Sequence, residues 1–282
     1  MPDARARLAS VEIGGHAPVA VMGVLNVSPE SFHRGSVYRD DDAVLRAALE
    51  MVGAGAALID VGARSTAPYL ATAISEAEET DRLARAVAVL AGKLPVPVSA
   101  DTPRPAVARA ALEAGARVLN DVSGLAEPSL AREVARHGAS LIAMAAPGPG
   151  RPVTTPLDTV HAVLADALAR ARAAGIPDER VVLDPGIGFF RDGPLAWHEW
   201  DVAVLAGLPA LGRLGRPLCV GVSRKSFIGA LTGRLDPADR LAGSLAATAA
   251  AVLGGAALVR THDVRETVDA VRVAERLREA TP

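Results

Sequence analysis

The sequence of 282 residues contains one cysteine, which excludes a disulfide framework. Cys219 lies inside the apolar run Leu218-Cys219-Val220 and reads as a small core residue, not as a nucleophile or metal ligand. No His/Cys cluster has the spacing of a zinc site, and no Gly-x-Ser-x-Gly elbow is present. Net charge is almost absent. Thirty basic and 32 acidic residues leave a formal −2, which gives no electrostatic footprint for nucleic acid. Long apolar runs are also missing, although half the residues are hydrophobic. The apolar segments are too short, and too often broken by charge, to cross a membrane. Residues 1–7 lead into no secretory apolar core. The expectation is a cytoplasmic protein with no nucleic-acid or membrane partner.

What the sequence does contain is an alternation. Short β-like runs precede longer helical stretches eight times, at residues 19–27, 57–62, 96–101, 118–123, 140–145, 181–186, 217–223 and 257–262. The runs lack polar alternation, as strands buried on both faces of a parallel sheet do. Amphipathic stretches such as 41–53, 76–90 and 103–115 lie between them, and several close on glycine, among them Gly115, Gly138 and Gly175. Eight βα units in this length predict an α/β fold, a single (β/α)8 TIM barrel. A doubly wound open sheet would bring a glycine-rich phosphate loop after the first strand. Here that strand runs into Asn26-Val27-Ser28-Pro29-Glu30, without glycine. Residues 1–18 are expected to form a short N-terminal hairpin turning at Gly14-Gly15, and residues 19–282 the barrel.

Barrels place chemistry at the C-terminal ends of their strands. In order, those ends offer Asn26; Asp60; Asp101; Asn120 and Asp121; Met144; Asp184; Ser223, Arg224 and Lys225; Arg260 and His262. Asp101, Asn120, Asp184 and Lys225 jointly offer carboxylate acceptors, an amide and an ammonium, which suit the edge of a flat, nitrogen-rich heterocycle. Asn26, Arg260 and His262 suit an anion, and Asn26 can add an oxygen ligand to magnesium, Mg²⁺. A heterocycle carrying a phosphate or pyrophosphate follows as the substrate class. Asp60 and Asp121 read equally as site groups or as carboxylates bonded to backbone amides. His33, His137, His161 and His198 read as surface residues. Trp197 and Trp200, three apart on a helix, are expected to pack on the barrel wall or a partner subunit.

At these residues the chain resembles the dihydropteroate synthases. Met22-Gly23-Val24-Leu25-Asn26-Val27-Ser28-Pro29-Glu30-Ser31-Phe32, then Asp60-Val61-Gly62 with Ser65-Thr66 and Pro68, resemble the family's first two motifs. Ser99-Ala100-Asp101-Thr102, Asn120-Asp121-Val122-Ser123-Gly124, Asp184-Pro185-Gly186-Ile187-Gly188-Phe189 and Ser223-Arg224-Lys225-Ser226-Phe227-Ile228-Gly229 follow in order, with Arg260 and His262 last. The resemblance implies an enzyme joining 6-hydroxymethyl-7,8-dihydropterin diphosphate to p-aminobenzoate, with Mg²⁺ and release of pyrophosphate. It implies Asp101, Asn120, Met144, Asp184 and Lys225 at the pterin. Asn26, Arg260 and His262 would hold the diphosphate, with Asn26 toward the metal. Thr66, Pro68, Phe189 and Ser223 would border the aminobenzoate, and Lys225, Arg260 and His262 would be catalytic. A homodimer is likewise implied.

The chain departs from the family pattern in its loops. His33-Arg34-Gly35-Ser36 replaces the usual Ser-Asp-Gly-Gly, and Ala67 stands where an arginine is usual. Ala63 and Arg64 replace Gly and Glu, Ala143 replaces His, and Phe190-Arg191 replaces Gly-Lys. Arg34 and Arg64 are candidates for the cation absent at position 67. The alternatives are a pterin-binding paralogue that uses another arylamine, or one without synthase activity. Phe190 either narrows the aminobenzoate end, lowering sensitivity to sulfonamides, or turns outward and packs beneath its loop.

Overall fold

The computed structural model describes residues 4–27, 41–64, 74–148, 154–193 and 195–280. Two short antiparallel strands come first, β1 (Arg5–Leu8) and β2 (Val11–Gly14). Eight parallel strands follow: β3 (Ala20–Asn26), β4 (Leu58–Gly62), β5 (Val98–Asp101), β6 (Val118–Asp121), β7 (Ser140–Met144), β8 (Val181–Asp184), β9 (Leu218–Gly221) and β10 (Ala256–Thr261). They pair in sequence order, and β10 pairs back onto β3, so the sheet closes. The fold is the expected TIM barrel.

Helices α1 (Asp41–Gly53), α2 (Glu76–Leu90), α3 (Pro105–Glu113), α4 (Pro128–Arg136) and α5 (Pro156–Ala173) follow the first five barrel strands. α6 (Trp197–Ala206) and the single turn α7 (Leu208–Leu211) follow β8; α8 (Ser226–Thr232) and α9 (Leu241–Leu253) follow β9; α10 (Val264–Ala280) follows β10. Local chemistry sets several boundaries. Ser75 caps α2 by accepting from Glu78 N, and Thr155 caps α5 by accepting from Asp158 N. Pro105 and Pro128 open α3 and α4, where a missing N–H costs nothing. After α3 the chain turns at Gly115, whose φ of +119° is open to glycine alone.

The strands are buried on both sides, which explains their unalternating sequence. Their outward side chains pack with the helices in one continuous cluster. Their inward side chains form a second cluster, with Met22, Leu58, Val118, Ile142, Val182, Cys219 and Leu258 at its centre. Cys219 is fully buried, and burial raises its thiol pKa well above the usual value, so it is the inert core residue expected.

The hairpin exists but turns elsewhere than expected. Arg5 pairs with Gly14 and Leu8 with Val11, so the turn is Ala9-Ser10, with Ala9 at φ +54°. Gly14 and Gly15, at φ +79° and +60°, instead redirect the chain out of β2 toward the barrel. A Cβ on Gly14 would lie 2.3 Å from the Ala4 carbonyl oxygen, so glycine is required there for the exit, not for the turn. The hairpin closes the N-terminal end of the barrel. Ala6, Leu8 and Ile13 join the inward cluster, and Ser140 Oγ donates to Arg7 O and accepts from Ala9 N, both at 3.0 Å.

Leu8→Ala is expected to lower unfolding free energy by about 2–5 kcal/mol, the range for emptying a buried leucine site. Urea titration checks it; an unchanged midpoint would show that the hairpin is a surface appendage rather than the barrel's floor.

Candidate active site

Residues two apart along a strand share a face. Each inward column therefore runs from an apolar or small residue at the floor to a functional one at the mouth. Leu58 leads to Asp60 and Gly62, Ser99 to Asp101, Val118 to Asn120, and Ile142 to Met144. Val182 leads to Asp184, Cys219 to Gly221, and Leu258 to Arg260. Register carries the layer around the barrel: Asn26 opposes Gly62, Gly62 opposes Asp101, and Asp101 opposes Asn120.

Arg260 bridges this mouth. Its Nε lies 2.7 Å from Asp60 Oδ2 and its Nη2 lies 2.7 Å from Asp101 Oδ2. Asn120 Nδ2 donates to the same Asp60 oxygen at 3.0 Å. Asp60 Oδ1 and Asp101 Oδ1 are buried with no hydrogen-bond partner among the described residues, which leaves two strong acceptors for a ligand. Burial raises the Asp101 pKa to about 7; Arg260 opposes that rise and Asp60 adds to it. Burial also works against the Arg260 charge, but Asp60 and Asp101 outweigh it and raise the guanidinium pKa.

The opposite wall comes from β8 and β9. Asp184 Oδ1 accepts from Gly186 N at 2.7 Å, and burial raises its pKa against the pull of Lys225 and Arg260. Lys225 Nζ donates to Ile187 O at 2.5 Å and sits 4.6 Å from the centre of the Phe189 ring. Burial lowers its pKa to about 8, with Asp184 resisting. Arg224 takes φ +55°, and its guanidinium turns away to Asp263, Nη2 to Oδ1 at 2.6 Å, and to the carbonyls of Pro237 and Ala238. Ser223 Oγ meets His262 Nδ1 at 3.0 Å and accepts from His262 N at 3.2 Å. Desolvation, added to the Arg260 charge, lowers the His262 pKa to about 4, although the residue as a whole is exposed.

The structure thus brings Asp101, Asn120 and Arg260 into one network with Asp60, and sets Lys225 against Phe189 and Ser223 against His262. Met144 ends β7 in register with Asp184, and Asn26 ends β3 beside Gly62. Thr66 and Pro68 lie outside the described residues, as do His33 and Arg34. The two readings left open for Asp60 and Asp121 separate. Asp121 is one residue past Asn120 and faces outward, where it accepts from Ser123 N and Leu125 N. Asp60 faces inward and orients Arg260. Phe190 is 5% exposed and stacks on Trp200 with centroids 5.1 Å apart, so the packing reading holds, and with it goes the steric case for reduced sulfonamide sensitivity.

Two further buried acids, neither at a strand end, border the site. Glu79 of α2 is fully buried. It accepts from Thr102 Oγ1 at 2.7 Å and pairs with Arg104 Nη1 at 2.9 Å and Arg64 Nε at 3.4 Å. Asp201 of α6 is 1% exposed and accepts from Gly188 N at 2.7 Å. Each sits within its helix's inward stripe, Glu79 with Leu83, Ala86 and Leu90, Asp201 with Trp200 and Val204. An acid in an apolar stripe was the available signal.

A polar mouth of buried carboxylates and cations, closed over an apolar floor, is suited to a planar polar ligand carrying an anion. The family model for pterin-binding enzymes matches residues 22–262. The chain belongs to the pterin-binding enzyme family. Among its relatives is a dihydropteroate synthase of Mycobacterium leprae, 42% identical over 270 residues, covering 91% of this chain and 93% of that one. Another is that of Synechocystis, 39% identical over 266 residues, covering 91% and 89%. Of solved structures, the dihydropteroate synthase of Xanthomonas albilineans with 4-aminobenzoic acid superposes with a TM-score of 0.88 at 38% identity, covering 99% of this chain and all of that one. The same enzyme in complex with 7,8-dihydropteroate gives 0.85 at 36%, with the same coverage.

Gly62 leaves space at the mouth. A Cβ on Gly62 would lie 3.5 Å from Asn26 Oδ1 and 3.7 Å from Asp101 Oδ2, ordinary contacts that demand no movement. Gly62→Ala is therefore expected to keep the wild-type unfolding midpoint but to weaken a pterin ligand by roughly tenfold, through a methyl group placed between Asn26 and Asp101. Calorimetry beside a thermal melt tests it; undiminished affinity would mean that this gap is unused.

Proposed function

We propose that this chain joins 6-hydroxymethyl-7,8-dihydropterin diphosphate to p-aminobenzoate, giving 7,8-dihydropteroate and pyrophosphate. The observation that carries the reading is the Asp60–Arg260–Asp101 network facing Asp184 and Lys225 across the barrel mouth. In it, Asp101, Asn120, Asp184 and Lys225 read the pterin edge, with Met144 against the ring. Asp101 Oδ1, a buried acceptor with no hydrogen-bond partner among the described residues, takes a pterin N–H. Arg260 and His262 hold the diphosphate with Asn26. Phe189 and Ser223 border the aminobenzoate, together with Thr66 and Pro68.

The reaction is a displacement at the pterin methylene. The C–O bond breaks and its electron pair leaves on pyrophosphate. The arylamine nitrogen then attacks the methylene cation, a C–N bond forms, and the nitrogen loses a proton to the departing phosphate oxygens or solvent. The residues serve this electrostatically. Arg260 and His262 stabilise the leaving anion, the first by charge and the second by a hydrogen bond. The buried carboxylates favour the pterin cation, and Lys225 orients the ring. His262 is neutral beside Arg260 at neutral pH, so it offers the diphosphate a hydrogen bond rather than a charge. Arg64, held by Glu79 near Asp101, adds positive charge to the site.

Mg²⁺ belongs to the same proposal. Among the described residues no group of three or more His, Cys, Asp or Glu side chains suits a metal, and the Asn26 amide oxygen fits an ion that binds mainly through phosphate oxygens. When bound, it would neutralise charge on the diphosphate. A cytoplasmic homodimer completes the reading. Val273 on α10 and Leu253 on α9 are exposed apolar side chains that a second subunit would cover. No helix among the described residues is long and apolar enough to cross a membrane. Sulfonamides, as p-aminobenzoate mimics, are expected to compete for the second site.

Pyrophosphate release with the pterin diphosphate, with and without p-aminobenzoate, tests the reading. Release that requires p-aminobenzoate supports it. Release only with another arylamine, or pterin binding without release, gives the function to one of the two alternatives. Arg260→Ala should weaken the pterin diphosphate by roughly tenfold more than the bare 6-hydroxymethylpterin, since only the former carries the anion. Equal losses in calorimetry would place Arg260 away from the diphosphate.

A further inference from the structure

One peptide group lies between a buried acid and the lysine of the mouth. The peptide joining Ile187 to Gly188 accepts at its carbonyl from Lys225 Nζ, at 2.5 Å, and donates from its N–H to Asp201 Oδ1, at 2.7 Å. Asp201 comes from α6, outside the barrel, and its other oxygen is buried with no hydrogen-bond partner among the described residues. A carboxylate on the N–H of a peptide increases the negative charge of that peptide's carbonyl oxygen. It also fixes the plane of the group, and so the direction in which the carbonyl points.

The surroundings leave this peptide little freedom. Gly188 takes φ +86°, and a Cβ there would lie 3.0 Å from Lys225 Cδ, so the lysine stem runs against the backbone. Arg191 Nε donates to Gly188 O at 3.1 Å, and its Nη2 donates to Ser226 Oγ at 2.7 Å, next to Lys225 in sequence. The Arg191 guanidinium lies 4.2 Å from the centre of the Trp197 ring, four residues before Asp201 on the same helix.

We propose that Asp201 is a positioning residue for Lys225, acting through the Ile187–Gly188 peptide that both side chains hold. The inference rests on the reading of Lys225 as a substrate-binding group, and it adds a residue that none of the motifs contains. The charged groups concerned are few. Lys225 faces Asp184 from β8, Arg260 from β10, Asp201 from α6 and Arg191 from the loop after β8. Asp201 faces Lys225, Arg191 and His198. Burial raises the Asp201 pKa to about 6, so at neutral pH it is chiefly ionised and favours the charged form of Lys225.

The chain contains only two lysines, Lys93 and Lys225, so selective labelling of lysine gives two NMR signals, and Lys225→Arg assigns them. The Lys225 pKa and kcat/KM are measured in wild type, Asp201→Asn and Asp201→Ala. Asn keeps an oxygen for Gly188 N and loses the charge; Ala loses both. Both variants should lower the Lys225 pKa. At pH 6.5 Ala should reduce kcat/KM by roughly tenfold or more, while Asn stays within about threefold of wild type. An unmoved Lys225 pKa in both variants, or a loss of kcat/KM in Ala that Asn does not restore, would overturn the proposal. Absent turnover in the wild type would instead sink the synthase reading, and the pKa comparison would still decide the role of Asp201.

Discussion

The Arg260 guanidinium carries the electrostatics of the barrel mouth. Asp60 and Asp101 come from neighbouring strands, both are buried, and Arg260 places a cation between them. Deleting one partner of such a buried set leaves an uncompensated charge, which costs about 3–5 kcal/mol. Arg260 reaches the pair from β10, the strand that closes the barrel onto β3, so closure and charge balance depend on one another. The balance is incomplete, and that is chemically useful. Asp60, Asp101 and Asp184 face the cations Arg260 and Lys225, and Oδ1 of Asp60 and of Asp101 has no hydrogen-bond partner among the described residues. The mouth therefore favours a ligand with hydrogen-bond donors and a developing positive charge.

The same strands hold a dry floor and a polar mouth only two residues apart. Val118 and Asn120, Val182 and Asp184, and Leu258 and Arg260 are successive inward positions. Water is kept from the floor by the hairpin, which places Leu8 and Ile13 among those apolar side chains. The mouth groups consequently lie over a low-dielectric base, where burial raises the pKa values of Asp101 and Asp184 and lowers that of Lys225. These shifts reduce the difference between donor and acceptor groups near neutral pH, so bound ligands can alter protonation at modest cost.

The barrel was legible because its strands are buried on both faces and its helices end on glycine, two signals that do not depend on long-range contacts. The mouth residues were legible because strand ends are easy to locate and alternate residues share a face. Where a signal was local but ambiguous, the reading slipped. Gly14-Gly15 looks like a hairpin turn, yet the turn is Ala9-Ser10, a pair with no turn signature, and the glycines serve the exit from β2. Asp60 and Asp121 look alike in sequence; only their parity relative to Asp101 and Asn120 separates the inward group from the outward one. Glu79 and Asp201 lay beyond strand-end reasoning altogether. They reach the site from helices, through Arg64 and Arg104 in one case and a backbone amide in the other.

The Phe190-Arg191 departure shows why a divergent loop need not mean a divergent site. A phenylalanine in place of glycine adds a large ring that must go somewhere. Here α6 receives it, since Trp200 stacks on Phe190 while Trp197, one turn earlier, lies beneath Arg191. The two indoles stand three residues apart on one face, the spacing that meets two successive loop residues. With both bulky groups drawn toward the helix, Phe189 remains beside Lys225, Ile187 O accepts from the lysine ammonium, and Gly188 leaves room for the lysine stem. The loop and the helix fit as a set, and the two bulky side chains are accommodated on the outer side of the loop, away from the charged mouth.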